Sequence, residues 1–207
     1  MNPVEYAISV KDLATFVHRR GNLGGDGGFR RSNRALEGIK GHRRIQQSRG
    51  ADYRSEVSVE FNFVRGEISL RVVGRVDGIV EGLAPLVEEI KTVETGWSRE
   101  PDPVHWAQLR LYAALLASEK NWFQASLQLT YLELDTNGVF LFREETSREI
   151  LIEFLNETVD EWFAWLIPHV EWIAQRNASK EKAPFPFTNF RAGQREPTGM
   201  GKTLSAR

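Results

Sequence analysis

The sequence predicts an α/β chain of the α+β type, with helices flanking a mixed central β-sheet. Three observations carry that prediction. From Glu56 the apolar residues recur with period two, Val57, Val59, Phe61 and Phe63 alternating with Ser58, Glu60 and Asn62, as a half-buried strand requires. Segments before and after it place apolar residues at helical spacing instead. Finally, Asp135-Thr136-Asn137-Gly138 is a tight-turn signal between two further alternating runs, 126–134 and 139–143.

Taken in order, Ser9 caps a first helix whose Val10, Leu13, Phe16 and Val17 form one stripe. It stops before Gly21 to Gly28, a stretch with five glycines that predicts a mobile loop feeding Phe29-Arg30-Arg31. A second helix begins near Ser32-Asn33 and is expected to turn Leu36, Ile39 and Ile45 inward, leaving Gly38 and Gly41 on its surface. Three strands then form an antiparallel meander. Gly66-Glu67 turns the first into Ile68 to Asp77, and Gly82-Leu83-Ala84-Pro85 turns the second into a strand reaching Lys91. Asp102 caps a helix with Pro103 at its first position. On that helix Trp106, Leu109, Ala113 and Leu116 make a core stripe, and His105, Gln108 and Tyr112 make a polar one suited to lining a groove. A long amphipathic helix opens at Thr146-Ser147-Arg148-Glu149 as a capping box. Its aromatic residues, among them Trp162, Phe163, Trp165 and Trp172, suit either a core or a docking face, and Pro168 is expected to kink or break it.

Composition narrows the chemistry. At 207 residues the chain can bury one substantial core. No apolar run approaches the ~20 residues a membrane helix needs, and Met1 to Glu5 carries no basic segment leading into an apolar one, so a cytoplasmic protein is expected. Zero cysteines exclude disulfides, zinc ribbons and iron-sulfur clusters, and leave oxygen and imidazole as metal donors. Such donors favour Mg²⁺ or Mn²⁺. The net charge is only −1, but between His18 and Arg54 ten Lys/Arg face three acids. From Glu144 to Glu171 the balance reverses, with Arg148 the only base among nine charged residues. A basic face able to meet phosphates is expected from this polarity.

The residues most suggestive of chemistry are Gly74-Arg75-Val76-Asp77-Gly78 and Glu88-Glu89-Ile90-Lys91. On adjacent strands they bring Asp77, Glu89 and Lys91 to one end of a sheet, while Ile90 points the other way into a core. Two carboxylates suit a hard divalent cation, and the ammonium suits an anionic substrate or an attacking water. Taken singly, Glu-x-Lys on a strand fits an ordinary solvated hairpin equally well, and His42 fits a satisfied helix residue.

The ordered set is more specific. Gly38-Ile39-Lys40-Gly41-His42, then Gly74-Arg75-Val76-Asp77, then Glu89-Ile90-Lys91, then Gln108-Leu109-Arg110-Leu111-Tyr112 resembles the PD-(D/E)XK nucleases, and within them the RecB-like branch. The resemblance implies a restriction-endonuclease-like core and a metal-dependent DNA nuclease leaving 5′-phosphate and 3′-hydroxyl ends. It implies His42, Asp77, Glu89 and the Ile90 carbonyl as ligands of Mg²⁺ or Mn²⁺. Asp77, Glu89 and Lys91 would be the catalytic residues, Lys91 orienting the attacking water or stabilising the charge of the transition state, and Gln108 and Tyr112 would bind the strand near the cut. Arg30, Arg31 and Arg43 are expected on flanking phosphates.

The chain also looks like the nuclease region that precedes some DinG/XPD-type superfamily 2 helicases. Phe190 to Glu196 resembles their glutamine motif and Pro197 to Thr203 their phosphate-binding loop, although Glu196 stands where that loop's first glycine belongs. A nuclease domain over 1–178 and a disordered helicase remnant over 179–207 are therefore expected, without ATPase activity. A helicase subunit is a candidate partner beside DNA. A non-catalytic DNA-binding or docking module acting with a helicase in trans is the alternative.

Overall fold

A computed structural model describes residues 4–19 and 31–182, the side chains of 31–35 and 180–182 excepted. The glycine-rich loop, Arg30, the side chain of Arg31 and both helicase-like motifs lie outside the described residues. Ten elements follow in order: β1 (Val4–Ser9), α1 (Val10–His18), α2 (Arg31–Gln47), β2 (Tyr53–Arg65), β3 (Ile68–Val80), β4 (Leu86–Val93), α3 (Pro103–Lys120), β5 (Gln124–Glu133), β6 (Val139–Ser147) and α4 (Arg148–Lys182). They form a six-stranded mixed sheet with helices on its faces, the α/β architecture expected. No helix among the described residues is long and apolar enough to cross a membrane.

The organising strand is β3. Strand β2 pairs antiparallel along its length, from Tyr53↔Val80 to Arg65↔Ile68. The opposite edge of β3 is shared: β1 runs parallel to Ile68–Val73, and β4 pairs antiparallel with Gly78, Ile79 and Val80 alone. Beyond Glu88 the strand β4 leaves β3 and continues in parallel with β5, which pairs antiparallel with β6. Residues Gly74 to Asp77 therefore face an open notch. The notch exists because β1 ends where it does: Ser9 has extended backbone, and its hydroxyl accepts from the Asp12 N–H at 3.0 Å, starting α1 at once. The antiparallel meander β2–β3–β4 is as the sequence predicts; the strand at Val4–Ser9 is not, and its parallel pairing splits the edge of β3.

The helices cover the two faces. On α3, capped by Asp102 with Pro103 in the first turn as expected, every residue from Leu111 to Ala117 is buried, so the element is central rather than amphipathic. Helix α2 differs from expectation in its orientation. Leu36 and Ile39 are 57% and 52% exposed, whereas Gly41 is buried and a Cβ there would lie 2.7 Å from Leu132 Cδ2. The face toward the sheet is Gly38, Gly41, His42 and Ile45, with Ile45 packed on Ile90 and Leu132. Absent side chains let the helix sit close to β4 and β5. That close approach, rather than an apolar stripe, sets the position of His42.

Helix α4 contributes Leu151, Leu155, Val159, Trp162 and Phe163 as buried residues at helical spacing. Pro168 lies inside the helix, which continues to Lys182, so of the expected kink or break the break does not occur. Contacts divide the chain into compact units Met1–Phe163 and Ala164–Arg207. Within the second, His169 stacks between Trp165 and Trp172 at 5.2 and 6.1 Å.

Candidate active site

The notch beside β3 gathers the sequence-predicted residues. Because β4 has left β3 by Ile90, the Ile90 N–H has no strand partner on that side and donates to Asp77 Oδ2 at 2.6 Å. In extended backbone a residue's N–H and C=O leave the same strand edge, so the Ile90 carbonyl faces the notch too. The other oxygen of Asp77, Oδ1, lies 3.3 Å from His42 Nδ1. Burial alone would depress the His42 pKa, but the hydrogen bond and negative charge of Asp77, with Glu89 beyond it, raise it above the ordinary histidine value.

Glu89, Lys91 and Gln108 form a closed ring. Lys91 Nζ donates to Glu89 Oε1 at 2.7 Å and to Gln108 Oε1 at 2.9 Å, and Gln108 Nε2 donates to Glu89 Oε1 at 2.9 Å. Each side chain is thereby fixed by the other two. Glu89 Oε2, however, is buried and makes no hydrogen bond. Burial, opposed by Lys91 and reinforced by the charge of Asp77, pushes the Glu89 carboxyl well above the usual carboxylate range.

Gln108 and Tyr112 are nearly buried, and their polar atoms are used within the site. Burial, then the charge of Glu89, pushes the Tyr112 phenol up to about 12, and its hydroxyl is held by Gln108 and the Arg75 main chain. Gly74 makes room for it: a Cβ there would lie 2.6 Å from Tyr112 Cε1 and 3.0 Å from Val10 Cγ2. Arg43 is exposed on α2 and lines a cleft of about 900 Å³ over the notch, together with His42, Glu56, Arg75, Asp77 and Gln108. A second cavity of about 380 Å³ lies past Lys91 and Gln108 toward Lys11 and His105. His105 is held near 4 by burial and then by the charge of Lys91, and its Nδ1 lies 2.8 Å from the Tyr131 hydroxyl.

The sequence reading missed three participants. Gln46, one turn after His42, donates from Nε2 to the Asp77 carbonyl and to Glu56 Oε1, both at 2.9 Å. Its spacing of four from His42 was a usable signal. Glu56, opposite Asp77 between the Ser55↔Gly78 and Val57↔Val76 pairs, has φ +56, the left-handed region that a glutamate rarely adopts. Glu88, on the other face of β4, is 0% exposed and accepts from Arg49 Nε at 3.1 Å, Gln128 Nε2 at 2.7 Å, Arg49 Nη2 and the Thr130 hydroxyl.

The donor set fits a divalent cation. Its atoms are carboxylate and carbonyl oxygens and one imidazole, with no thiolate in the chain, which suits Mg²⁺ or Mn²⁺ rather than a soft metal. An unpartnered buried carboxylate oxygen is costly, and a bound cation would satisfy it. Among the described residues no three His, Asp or Glu side chains already converge on one point. The geometry explains this: the oxygens of Asp77 are turned to His42 and the Ile90 N–H, and one oxygen of Glu89 to Lys91 and Gln108.

Comparison with known proteins gives the same class of architecture. Among solved structures, LHK-Exo in complex with dAMP has a TM-score of 0.51 at 15% identity, over 83% of this chain and 93% of that one. LHK-Exo, an alkaline exonuclease from Laribacter hongkongensis, also matches without dAMP at 0.49 and 15% identity, over 84% and 94%. SSO0001 matches at 0.47 and 19% identity, over 74% and 75%. No curated protein matches in sequence. The likeness to LHK-Exo in complex with dAMP speaks to fold alone. The sequence profile described as the PD-(D/E)XK nuclease superfamily matches residues 17–191, most of the chain, and the protein belongs to that superfamily.

Proposed function

We propose that the protein is a divalent-metal-dependent deoxyribonuclease of the RecB-like branch, hydrolysing phosphodiester bonds in single-stranded or end-bearing DNA during repair or recombination. The observation that carries this reading is the buried, unpartnered Glu89 oxygen, on a carboxylate that feels the charge of Asp77 and stands directly before the Ile90 N–H that Asp77 accepts from. His42, Asp77, Glu89 and the Ile90 carbonyl would hold Mg²⁺ or Mn²⁺. When bound, the cation supplies Lewis acidity toward a phosphoryl oxygen and acidifies a water.

The remaining roles fall to this chain's own groups. Lys91, held by Glu89 and Gln108, orients the attacking water or meets the negative charge that gathers in the transition state. Gln108 keeps Glu89 and Lys91 in register, and Tyr112 holds the Gly74–Asp77 segment from beneath, so both serve the strand at the cut by fixing what it meets. Gln46 holds the Asp77 main chain from α2. Arg43, with Arg30 and Arg31, contacts flanking phosphates. We take 1–178 as the nuclease domain and 179–207 as a tail related to DinG/XPD-type helicases, with a helicase subunit as candidate partner.

Digestion of end-labelled single- and double-stranded DNA with Mg²⁺, Mn²⁺ or EDTA tests the reading. Metal-dependent cleavage by the wild type, lost in Asp77→Ala, is the expected result. A chain that binds DNA but never cuts it under any metal would be a binding module instead.

A further inference from the structure

Beside Asp77 stands an ion pair that no catalytic role uses. Arg75 Nε lies 2.7 Å from Glu56 Oε2, with the two side chains 68% and 44% exposed. An exposed pair of this kind contributes little to stability. Its surroundings are unusual, however. Arg75 and Asp77 are two apart on β3 and leave the same strand face, and both line the cleft over the notch. Glu56 sits across from Asp77 in a left-handed backbone conformation that is strained for a residue with a side chain. Gln46 fixes its other oxygen. The main chain of Arg75 is itself held by the Tyr112 hydroxyl. Thus the guanidinium lines the cleft from a fixed strand, and among the described residues its tip is paired with the Glu56 carboxylate.

We propose that Arg75 binds a phosphate of the DNA strand next to the scissile bond, and that Glu56 is the counter-ion it leaves when DNA arrives. This rests on the nuclease reading above and adds a substrate contact to it. A guanidinium meets carboxylate and phosphate oxygens with the same fork of donors, so one can replace the other without moving β3. Glu56 keeps Arg75 extended toward the notch and also competes with DNA for it. The Arg71–Glu60 pair on the same two strands, at 3.6 Å, provides an internal control. Its arginine is four residues along β3, roughly 13 Å away by strand rise, and lies beside β1 rather than the notch.

The test is binding of a labelled single-stranded oligonucleotide in EDTA between 50 and 200 mM salt, with cleavage kinetics and melting temperatures of the same variants. Arg75→Ala should weaken binding about tenfold and lower the slope of log K against log salt by about 0.7, the loss of one single-strand phosphate contact. Arg71→Ala changes net charge equally and should leave the slope unchanged. Glu56→Gln should tighten binding a few-fold more than Glu60→Gln does. Equal slopes for Arg75→Ala and wild type, or equal weakening by Arg75→Ala and Arg71→Ala, would overturn the proposal while leaving the nuclease reading intact. Weaker binding by Glu56→Gln at unchanged melting temperature would overturn the counter-ion role. A wild type with neither salt-dependent DNA binding nor cleavage would remove both readings.

Discussion

Glu88 and Glu89 are consecutive on β4, nearly equally buried, and opposite in every electrostatic respect. Glu88 faces α2 and β5 and meets donors at both oxygens from Arg49, Gln128 and Thr130. Burial would raise its pKa, but the hydrogen bonds of Arg49 and Thr130 hold the carboxyl below the usual range. Glu89 faces the notch, crowds its donors onto one oxygen and is raised. Strand alternation alone assigns the two faces. One carboxylate meets donors at both oxygens, and the other keeps a buried oxygen without one. The first ties the segment just beyond the C-terminus of α2, through Arg49, to the strand that carries Glu89. It thereby helps hold α2, whose close approach at Gly38 and Gly41 positions His42, against the sheet.

The sharpest way to break this contrast is at Lys91. On the proposed mechanism Lys91→Ala removes a group that meets the developing charge, and it should lower the cleavage rate by about 10²–10⁴-fold with little loss of DNA binding, as single-turnover assays would report. Glu88→Gln should leave the chemistry in place but cost about 3 kcal/mol by stranding a partly buried guanidinium, a melting-temperature fall of about 6–12 °C. Because the folded Glu88 pKa is depressed, its contribution is present above the unfolded value and is lost as pH falls through the folded one. The wild-type advantage over Glu88→Gln should therefore shrink on acidification below about pH 4. Gly74→Ala drives a Cβ into the Tyr112 ring and should cost about 1–3 kcal/mol together with activity, because the ring supports the segment bearing Asp77.

The smallest expected effect has the opposite sign. The folded Glu89 pKa is raised, so its ionisation opposes folding, and the stability of the protonated form is lost as pH rises through the folded value. Glu89→Gln should accordingly raise the melting temperature of the metal-free protein at pH 8 by about 2–4 °C, an effect of about 1 kcal/mol. At pH 4 the gain should vanish.

The motif residues were legible because their chemistry is local: Asp77, Glu89 and Lys91 need only two strands and a period of two. Their neighbours required tertiary facts. Counting apolar residues on α2 pointed Leu36 and Ile39 inward, yet the contact surface is made by Gly38 and Gly41, which a hydrophobic pattern scores as blanks. Strand β1 lies before the first clear period, and its parallel pairing with β3 depends on residues sixty positions away. The notch itself followed from that pairing and so was invisible too. Glu88 read as part of a charged run, although its partners come from the end of α2 and from β5. Nothing in a sequence marks the left-handed backbone of Glu56.

The central claim is that the spare oxygen of Glu89 belongs to a cation. Thermal unfolding with and without Mn²⁺ tests it most directly, comparing the wild type with Glu88→Gln and Glu89→Gln. A ligand that binds only the folded state raises its melting temperature. Mn²⁺ should raise that of the wild type and, from a lower starting point, that of Glu88→Gln by a similar amount, while Glu89→Gln shows no rise. A Glu89→Gln variant that responds to Mn²⁺ as the wild type does would contradict the claim.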